Sequence, residues 1–361
     1  MPMHNVAIGN VEVTALYDAP ILMDPRQFMP QHADAFLSEF GHLADERGLM
    51  QMAVTCYLVR SNGKNYLVDT GLGPRKRPGF PSGNLDLALR DAGLTPADID
   101  AVVNTHLHID HVGWNTFDRD DGTREVFFPN ARFFVQKAEW DYWMTPERLA
   151  APGNAYLVEC VEPLRDSGRI EFIGGEHAID EHLTCVPTPG HTPGHVAVGI
   201  MSAGERAVII GDASHHPAQL LHPDWSPAFD IDPVQSAKTR DRLFNWAAAH
   251  LACGPLGASG PGAAGPARRQ AGVPGVIGHR PSGQRRILAP LLTGDGTCRS
   301  RFAPVATRRR CSSTGRSLVM SLLRPRALTT RWRTRSRNGP PAAGSTARWP
   351  PPSVPFRSRC G

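Results

Sequence analysis

The sequence predicts a layered α/β protein over its first 250 residues, and three observations support this class. Apolar segments of strand length alternate with segments whose apolar residues recur at a helical period. An Asn-Gly pair at 62–63 lies between two strand-like segments, which is the pattern of a β-hairpin. Glycine and proline stand beside the helical segments, as they do at helix ends. These signals predict packed sheets and helices without giving their order.

The predicted elements alternate along the chain. Strands are expected at 54–59, 65–68, 99–104, 132–136, 169–173, 182–187, 195–201 and 206–211. Helices are expected at 84–92, after 136 with Trp140 and Trp143, and from Asp232-Pro233 to about 250, and 95–98 is expected to be a helix start. The motifs described next therefore fall on loops at strand ends, where active-site residues are common.

The segment 105–111, Thr-His-Leu-His-Ile-Asp-His, holds three imidazoles and a carboxylate, all good ligands for zinc. His106 and His108 are two residues apart, so on an extended turn their rings project to one side. Asp110 and His111 follow at once and can serve a second ion nearby. Buried together without a cation, these groups would repel one another or lack hydrogen-bond partners. The segment therefore predicts the start of two metal sites.

Two further candidate ligands come later in the chain. His191 lies in the run Thr-Pro-Gly-His-Thr-Pro-Gly-His at 188–195, a rigid loop in which glycine permits close backbone approach. Asp212 follows an apolar strand and a glycine, and a carboxylate at such a strand end is well placed to bridge two cations. His195, four residues after His191, is interpreted as a structural or surface histidine and not as a ligand.

The order of these motifs resembles the metallo-β-lactamase superfamily over about residues 5–250. The resemblance implies an αββα sandwich, in which two packed sheets are flanked by helices, and a centre of two zinc ions. By this resemblance, one ion is held by His106, His108 and His191, the other by Asp110 and His111, and Asp212 bridges them. Asp69, in Asp-Thr-Gly after a strand, fits the family's aspartate near the metal site, and a turn-forming aspartate fits equally well.

Such a centre implies hydrolysis by a hydroxide that bridges the two ions, because zinc lowers the pKa of bound water toward ~7. Asp110 can orient this hydroxide and pass its proton to the leaving group, so it is a candidate catalytic residue as well as a ligand. The ions stabilise the developing oxyanion. Ester, lactone, thioester, amide and phosphoester substrates all suit this chemistry.

The HxHxDH and TPGHTPGH motifs resemble the N-acyl-homoserine-lactone lactonases within the superfamily. In those enzymes a tyrosine commonly assists the substrate carbonyl three residues after the bridging aspartate. This sequence has His215 there, which is closer to a methyl-parathion-hydrolase-like and related lactonase branch, and the segment 229–233 fits that branch too. His215 is therefore a candidate catalytic donor to the substrate, with a structural role as the alternative.

Composition favours a cytoplasmic protein without membrane or disulfide structure. No stretch approaches the ~20 apolar residues of a membrane helix, and the N-terminus lacks the pattern of a secretory signal. The seven cysteines include no C-x-x-C pair, which argues against a thiolate zinc site or a disulfide framework.

Charge divides the chain at about residue 250. The net charge of +5 conceals a tail, 251–361, with twenty arginines, no lysine and one acidic residue, whereas the first 250 residues hold 19 basic and 33 acidic groups. We therefore predict a hydrolase domain at 1–250 and an Arg/Pro/Gly-rich tail at 251–361. Three interpretations of the tail remain open: a basic segment that binds nucleic acid, a disordered segment, and our preferred hypothesis, translation from a shifted reading frame.

The leading hypothesis is a dinuclear zinc hydrolase of lactones or esters, such as an N-acyl-homoserine lactone, with promiscuous organophosphate activity. Family members usually add one more histidine to the second site after the last helix, and His279 is the sole histidine beyond residue 250. One alternative is therefore a catalytically impaired, frame-shifted homologue with an incomplete second site. Others are a glyoxalase-II-like thioesterase and a nuclease. We expect a small-molecule substrate, no nucleic-acid or membrane partner and, by the resemblance, a homodimer.

Overall fold

The computed structural model describes residues 4–251, and within this range it confirms the α/β class. The strands are His4–Ile8 (β1), Val11–Met23 (β2), Met50–Ser61 (β3), Lys64–Val68 (β4), Ala101–Val103 (β5), Thr116–Asp118 (β6), Arg124–Val126 (β7), Arg132–Gln136 (β8), Ile170–Ile173 (β9), His177–Ala178 (β10), Leu183–Pro187 (β11), Val196–Ser202 (β12) and Glu205–Ile209 (β13). The predicted tail and His279 lie outside the described residues.

Two sheets form the centre of the described part. The larger sheet has the strand order β1-β2-β3-β4-β5-β8-β9, and the smaller one has the order β10-β11-β12-β13. The neighbours from β1 to β4 are antiparallel, whereas β4, β5, β8 and β9 are parallel neighbours. The smaller sheet is antiparallel throughout. A short hairpin, β6 and β7, stands apart from both.

Helices connect the strands on the outside of the two sheets. Their bounds are Pro25–Phe28 (α1), Ala33–Phe40 (α2), Leu85–Asp91 (α3), Ile109–Val112 (α4), Lys137–Trp143 (α5), Pro146–Leu149 (α6), Ala155–Cys160 (α7), Glu162–Asp166 (α8), Ala218–Leu221 (α9) and Pro233–Leu251 (α10). The predicted helix start at 95–98 is a single 3-10 turn, Pro96–Asp98, with Thr95 as its N-cap.

The core is layered as helix, sheet, sheet, helix. Alternate residues of β3 point to opposite faces: Tyr57 and Val59 pack against the smaller sheet, whereas Cys56 and Leu58 pack towards α3 and α8. On the far side of the smaller sheet, strands β12 and β13 pack against Leu243 of α10. Each sheet thus buries both of its faces, and the predicted αββα sandwich is confirmed.

The hairpin between β3 and β4 is confirmed in detail. Asn62 and Gly63 have φ values of 51° and 73°, the left-handed conformation that a type I′ turn requires at both central positions. This tight turn fixes the register of β4, which carries Asp69 just beyond its last residue.

The N-terminal hairpin and helices were not among the predicted elements. Strand β2 runs for 13 residues and is interrupted by a change of register between Tyr17 and Ala19, where Asp18 turns its carboxylate into the interior. Helices α1 and α2 follow and cover one end of the larger sheet with Phe28 and Phe36.

Strands from both sheets end at a common edge. Strands β4 and β5 of the larger sheet lead to Asp69 and to the segment 105–111, and β11 and β13 of the smaller sheet lead to His191 and Asp212. The candidate ligands therefore meet although they are far apart in sequence. None of the helices between residues 4 and 251 has both the length and the apolar character needed to span a bilayer.

Candidate metal centre

Three histidines from the two sheets form the first group of donors. One nitrogen each from His106, His108 and His191 lies within 4.8 Å of the other two. His191 Nε2 is 2.9 Å from His108 Nδ1, and the rings of His106 and His191 are fully buried. The structure thus brings together the three histidines that the family resemblance assigns to one ion.

A second group lies beside the first and shares His106 with it. Donor atoms of His106, His111 and Asp212 also lie within 4.8 Å of one another. Asp110 lies at the edge of this group, with its Oδ2 3.7 Å from His111 Nε2. Short helix α4 explains this proximity, since it turns the chain immediately after His108 and holds Asp110 and His111 on one turn.

Asp212 lies between the two groups. Its Oδ2 is 3.8 Å from His106 Nε2, 3.3 Å from His111 Nε2, 3.5 Å from His191 Nε2 and 3.1 Å from His215 Nε2. A single carboxylate surrounded by four imidazoles has the position that a bridging ligand requires.

The residues present fit a divalent metal of the zinc type. Imidazole and carboxylate are the donors such an ion prefers. His106 Nε2 is buried without a hydrogen-bond partner, and so are both ring nitrogens of His215. Unpartnered buried nitrogens are costly in a folded protein and are explained when an ion lies among them.

The charges at the site also favour a cation. Burial, together with the neighbouring His111, holds the pKa of His106 well below its ordinary value, so that ring is neutral as a metal ligand must be. Burial raises the pKa of Asp212, but His111 and His215 outweigh this and hold it well below its usual range. Asp212 is therefore an anion at neutral pH, in a cluster of donors that are largely buried.

Asp69 holds one candidate ligand from behind. His111 Nδ1 lies 2.8 Å from Asp69 Oδ2, so the ring turns Nε2 towards Asp212. The same carboxylate accepts hydrogen bonds from the backbone N–H and the hydroxyl of Thr105, at 2.7 and 2.8 Å. Asp69 also has a φ of 61°. Asp69 is thus a turn residue and also an aspartate that contacts a candidate ligand.

His195 lies behind the ligands and not among them. Its Nε2 accepts a hydrogen bond from the backbone N–H of Asp212 at 3.0 Å, so Nδ1 carries the proton and donates to the Thr188 hydroxyl at 2.7 Å. Gly211, with a φ of 50°, makes this contact attainable, because a Cβ there would lie 2.8 Å from His195 Nε2. The histidine fixes the backbone from which Asp212 projects.

His215 faces an apolar wall. Its ring centroid is 5.5 Å from that of Phe28 and 5.7 Å from that of Phe229, in edge-on contacts. Phe229 also lies 6.0 Å from the His191 ring and is more than one third exposed. His215 therefore stands where donors of the site meet an apolar surface that opens to solvent.

Two residues that support the site were not found by sequence reasoning. Asp230 accepts a hydrogen bond from His191 Nδ1, and Glu139 accepts hydrogen bonds from both loops that carry the first group of histidines. Asp230 lay in the segment 229–233 that was singled out, but no role followed from its position. Glu139 gave no signal, because a lone glutamate on a short helix is ordinarily exposed.

The fold and the site together define a class: a two-sheet α/β sandwich with a cluster of histidines and an aspartate, a candidate metal centre, at one sheet edge. A sequence model of the metallo-β-lactamase superfamily matches residues 50–117, which include the segment 105–111. Over these residues the chain is similar to this superfamily.

Among its relatives, the N-acyl homoserine lactonase AttM of Rhizobium radiobacter is 26% identical over 168 residues. This match covers 45% of the chain and 59% of the relative, which is less than two thirds of the relative's length. A solved hydrolase of the β-lactamase superfamily, AbOPH, is 28% identical with a TM-score of 0.58 and covers 68% of this chain and 86% of that one. The fold is also similar to that of AidC, a dizinc quorum-quenching lactonase, with 24% identity, a TM-score of 0.57 and coverage of 68% and 87%.

Proposed function

We propose that this protein is a dinuclear zinc hydrolase that opens lactones or cleaves related esters. The observation that carries the proposal is Asp212, whose carboxylate lies within 3.8 Å of ring nitrogens of four histidines at the common edge of the two sheets. The cluster includes buried nitrogens without a hydrogen-bond partner, and bound metal would satisfy them.

The donors would divide between two ions. His106, His108 and His191 would hold one, Asp110 and His111 would hold the other, and Asp212 would contact both. When bound, zinc lowers the pKa of water toward ~7 and polarises an oxygen of the substrate. His279, the candidate for a further ligand, lies outside the described residues.

Two of the chain's own residues supply the remaining chemistry. Asp110 is a proton carrier beside the second group, and burial together with Asp212 raises the pKa of its carboxyl, although His111 opposes this. His215 is a donor that can hold the substrate carbonyl oxygen, because its Nε2 is buried, faces Asp212 and has no hydrogen-bond partner. Phe229, which is partly exposed and lies beside the His215 ring, would then receive the apolar part of the substrate and exclude water from it.

The substrate that we favour is an N-acyl-homoserine lactone. The curated relative with this activity and the exposed apolar wall beside His215 both support a substrate that joins a polar ring to an acyl chain. Organophosphate triesters suit the same chemistry and are a secondary activity to be assayed. Homodimer formation stays a prediction.

The test is metal content per chain of the full-length protein, by inductively coupled plasma mass spectrometry, followed by hydrolysis of N-hexanoyl-homoserine lactone. We expect two zinc ions per chain and lactone opening, both lost in Asp212→Asn and both kept in Asp91→Asn, an exposed carboxylate at the end of α3. One zinc or none, without activity, would instead identify the impaired homologue. Hydrolysis of a glutathione thioester without lactone opening would identify the thioesterase.

A further inference from the structure

Glu139 is a buried carboxylate that touches both loops of the first histidine group. It lies on α5 and is 1% exposed. Its Oε1 accepts hydrogen bonds from the backbone N–H of Leu107 at 3.1 Å and from the indole N–H of Trp143 at 2.7 Å. Its Oε2 accepts from the backbone N–H of Gly194 at 2.8 Å.

The two backbone N–H groups that donate to Glu139 belong to the two loops that carry the first group of histidines. Leu107 stands between His106 and His108, in a segment that follows the larger sheet. Gly194 stands three residues after His191, in the loop between two strands of the smaller sheet. One side chain, with one oxygen for each loop, therefore spans the gap between the sheets behind the three histidines.

The fit of the second loop against α5 is close. A Cβ on Gly194 would lie 2.2 Å from the backbone nitrogen of Glu139 and 2.5 Å from its Cβ. Only glycine lets the loop approach the first turn of the helix so nearly. A buried carboxylate keeps its charge here at a cost, since burial raises the pKa of Glu139 while the Thr192 hydroxyl and the N–H groups of Leu107 and Gly194 oppose the rise.

We propose that Glu139 is a positioning residue that sets the distance between the His106–His108 segment and His191, and thereby the affinity of the first metal site. The inference rests on the proposed metal centre, but it concerns assembly of the site and not the identity of the substrate. Groups that orient ligands from behind commonly change metal affinity roughly 10- to 100-fold when they are removed.

The chain offers a matched control in Asp18. This carboxylate is also fully buried and accepts from two backbone N–H groups, of Leu72 at 2.7 Å and of Leu85 at 2.8 Å, and from the indole of Trp114 at 3.1 Å. Two backbone N–H groups and one indole N–H therefore contact each of the two carboxylates. The segment 70–85, which contains both backbone donors, holds none of the six proposed ligands.

The experiment compares Glu139→Gln with Asp18→Asn in the full-length protein. In Glu139→Gln the amide oxygen can still accept from Leu107 and Trp143, but the amide NH₂ faces the N–H of Gly194, so the His191 loop alone is released. Zinc affinity is measured by competition with a chromophoric chelator, the visible spectrum is recorded after substitution with Co(II), and thermal unfolding is followed in the metal-free state. We expect both variants to unfold at lower temperature than the parent protein.

We expect only Glu139→Gln to lose zinc affinity, roughly 10- to 100-fold, and to change the Co(II) spectrum. Parent-like affinity and spectrum in Glu139→Gln would overturn the proposal, and so would an equal loss in Asp18→Asn, which would trace the effect to general stability. If Glu139→Gln fails to fold, Glu139→Asp keeps the charge but is too short to reach both loops, and the same loss is expected. Zinc binding without lactone opening would refute the proposed function and leave this test intact.

Discussion

His191 Nδ1 lies 2.8 Å from Asp230 Oδ1, and the side chains of both residues are fully buried. This contact turns His191 Nε2 towards His108 and Asp212. Burial raises the pKa of Asp230, but its hydrogen bond with His191 outweighs this, so the carboxylate is ionised at neutral pH. Behind it, Arg240 of α10 approaches Asp230 Oδ2 at 3.5 Å and also donates to the carbonyl of Ala213, near Asp212. The last helix thus anchors the ligands of the smaller sheet.

Asp230→Ala should weaken zinc binding by roughly 10- to 100-fold, because His191 loses the group that fixes its tautomer and orientation. The measurement is chelator competition on the full-length protein. Asp232→Asn is the matched control, since this neighbouring carboxylate is exposed and accepts only from the backbone N–H of Gln235 at the start of α10. Equal losses in the two variants would show that the affinity depends on the segment and not on the His191–Asp230 contact.

His215→Ala should lower kcat for lactone opening by about 100-fold while two zinc ions remain bound, because a substrate donor is lost and the six ligands stay. Steady-state kinetics and metal analysis on the same preparation test this. His215 Nε2 also lies in one group with donors of His191 and Asp212, all within 4.8 Å. Loss of zinc from His215→Ala would therefore contradict the role of donor and identify a ligand.

The donors of the site could be predicted from the sequence because they are crowded into short motifs at strand ends. The spacing of HxHxDH and the position of His191 in its Pro/Gly loop predict metal ligands. The Asn-Gly turn fixes the register of its hairpin through local geometry alone. Asp18, Glu139 and Asp230 could not be assigned in the same way. Each has its role through partners that are distant in sequence, such as Trp114, 96 residues from Asp18, and His191, 39 residues from Asp230. Periodicity carries no information about such partners.

Strand β2 was not predicted, because its own sequence departs from the usual strand pattern. It contains Asp18 and Pro20, two residues that are uncommon within strands, and its register shifts between Tyr17 and Ala19. The bulge breaks the alternation of inward and outward residues that identifies a strand. Its cause is visible only in three dimensions, where Asp18 meets the N–H groups of Leu72 and Leu85.

Asp18 should make stability fall as the pH rises from about 4 to 7. Burial raises the pKa of its carboxyl from 3.8 to about 6, although the N–H of Leu72 and the indole of Trp114 oppose the rise. Between pH 4 and 7 the Asp18 carboxyl is protonated to a greater extent in the folded chain than in the unfolded chain. The free energy of unfolding therefore decreases as the pH rises, by about 3 kcal/mol for this shift in pKa. Asp18→Asn lacks the titration. Urea denaturation of the metal-free proteins at pH 4 to 7 should show the advantage of the parent over the variant shrinking by that amount, and parallel pH curves would contradict the assignment.

Removal of zinc should lower the unfolding temperature of the parent protein, because the folded chain holds the donors together and the unfolded chain does not. At free zinc 1,000 times the dissociation constant, binding adds about 4 kcal/mol, which corresponds to roughly 8–16 °C for a domain of this size. The comparison is differential scanning calorimetry with and without a chelator, repeated on Asp212→Asn. Since Asp212 lies between both donor groups, its variant should unfold at one temperature under both conditions. A chelator effect that persists in Asp212→Asn would mean that the stabilising ion is bound elsewhere and that the cluster around this carboxylate is not the zinc centre.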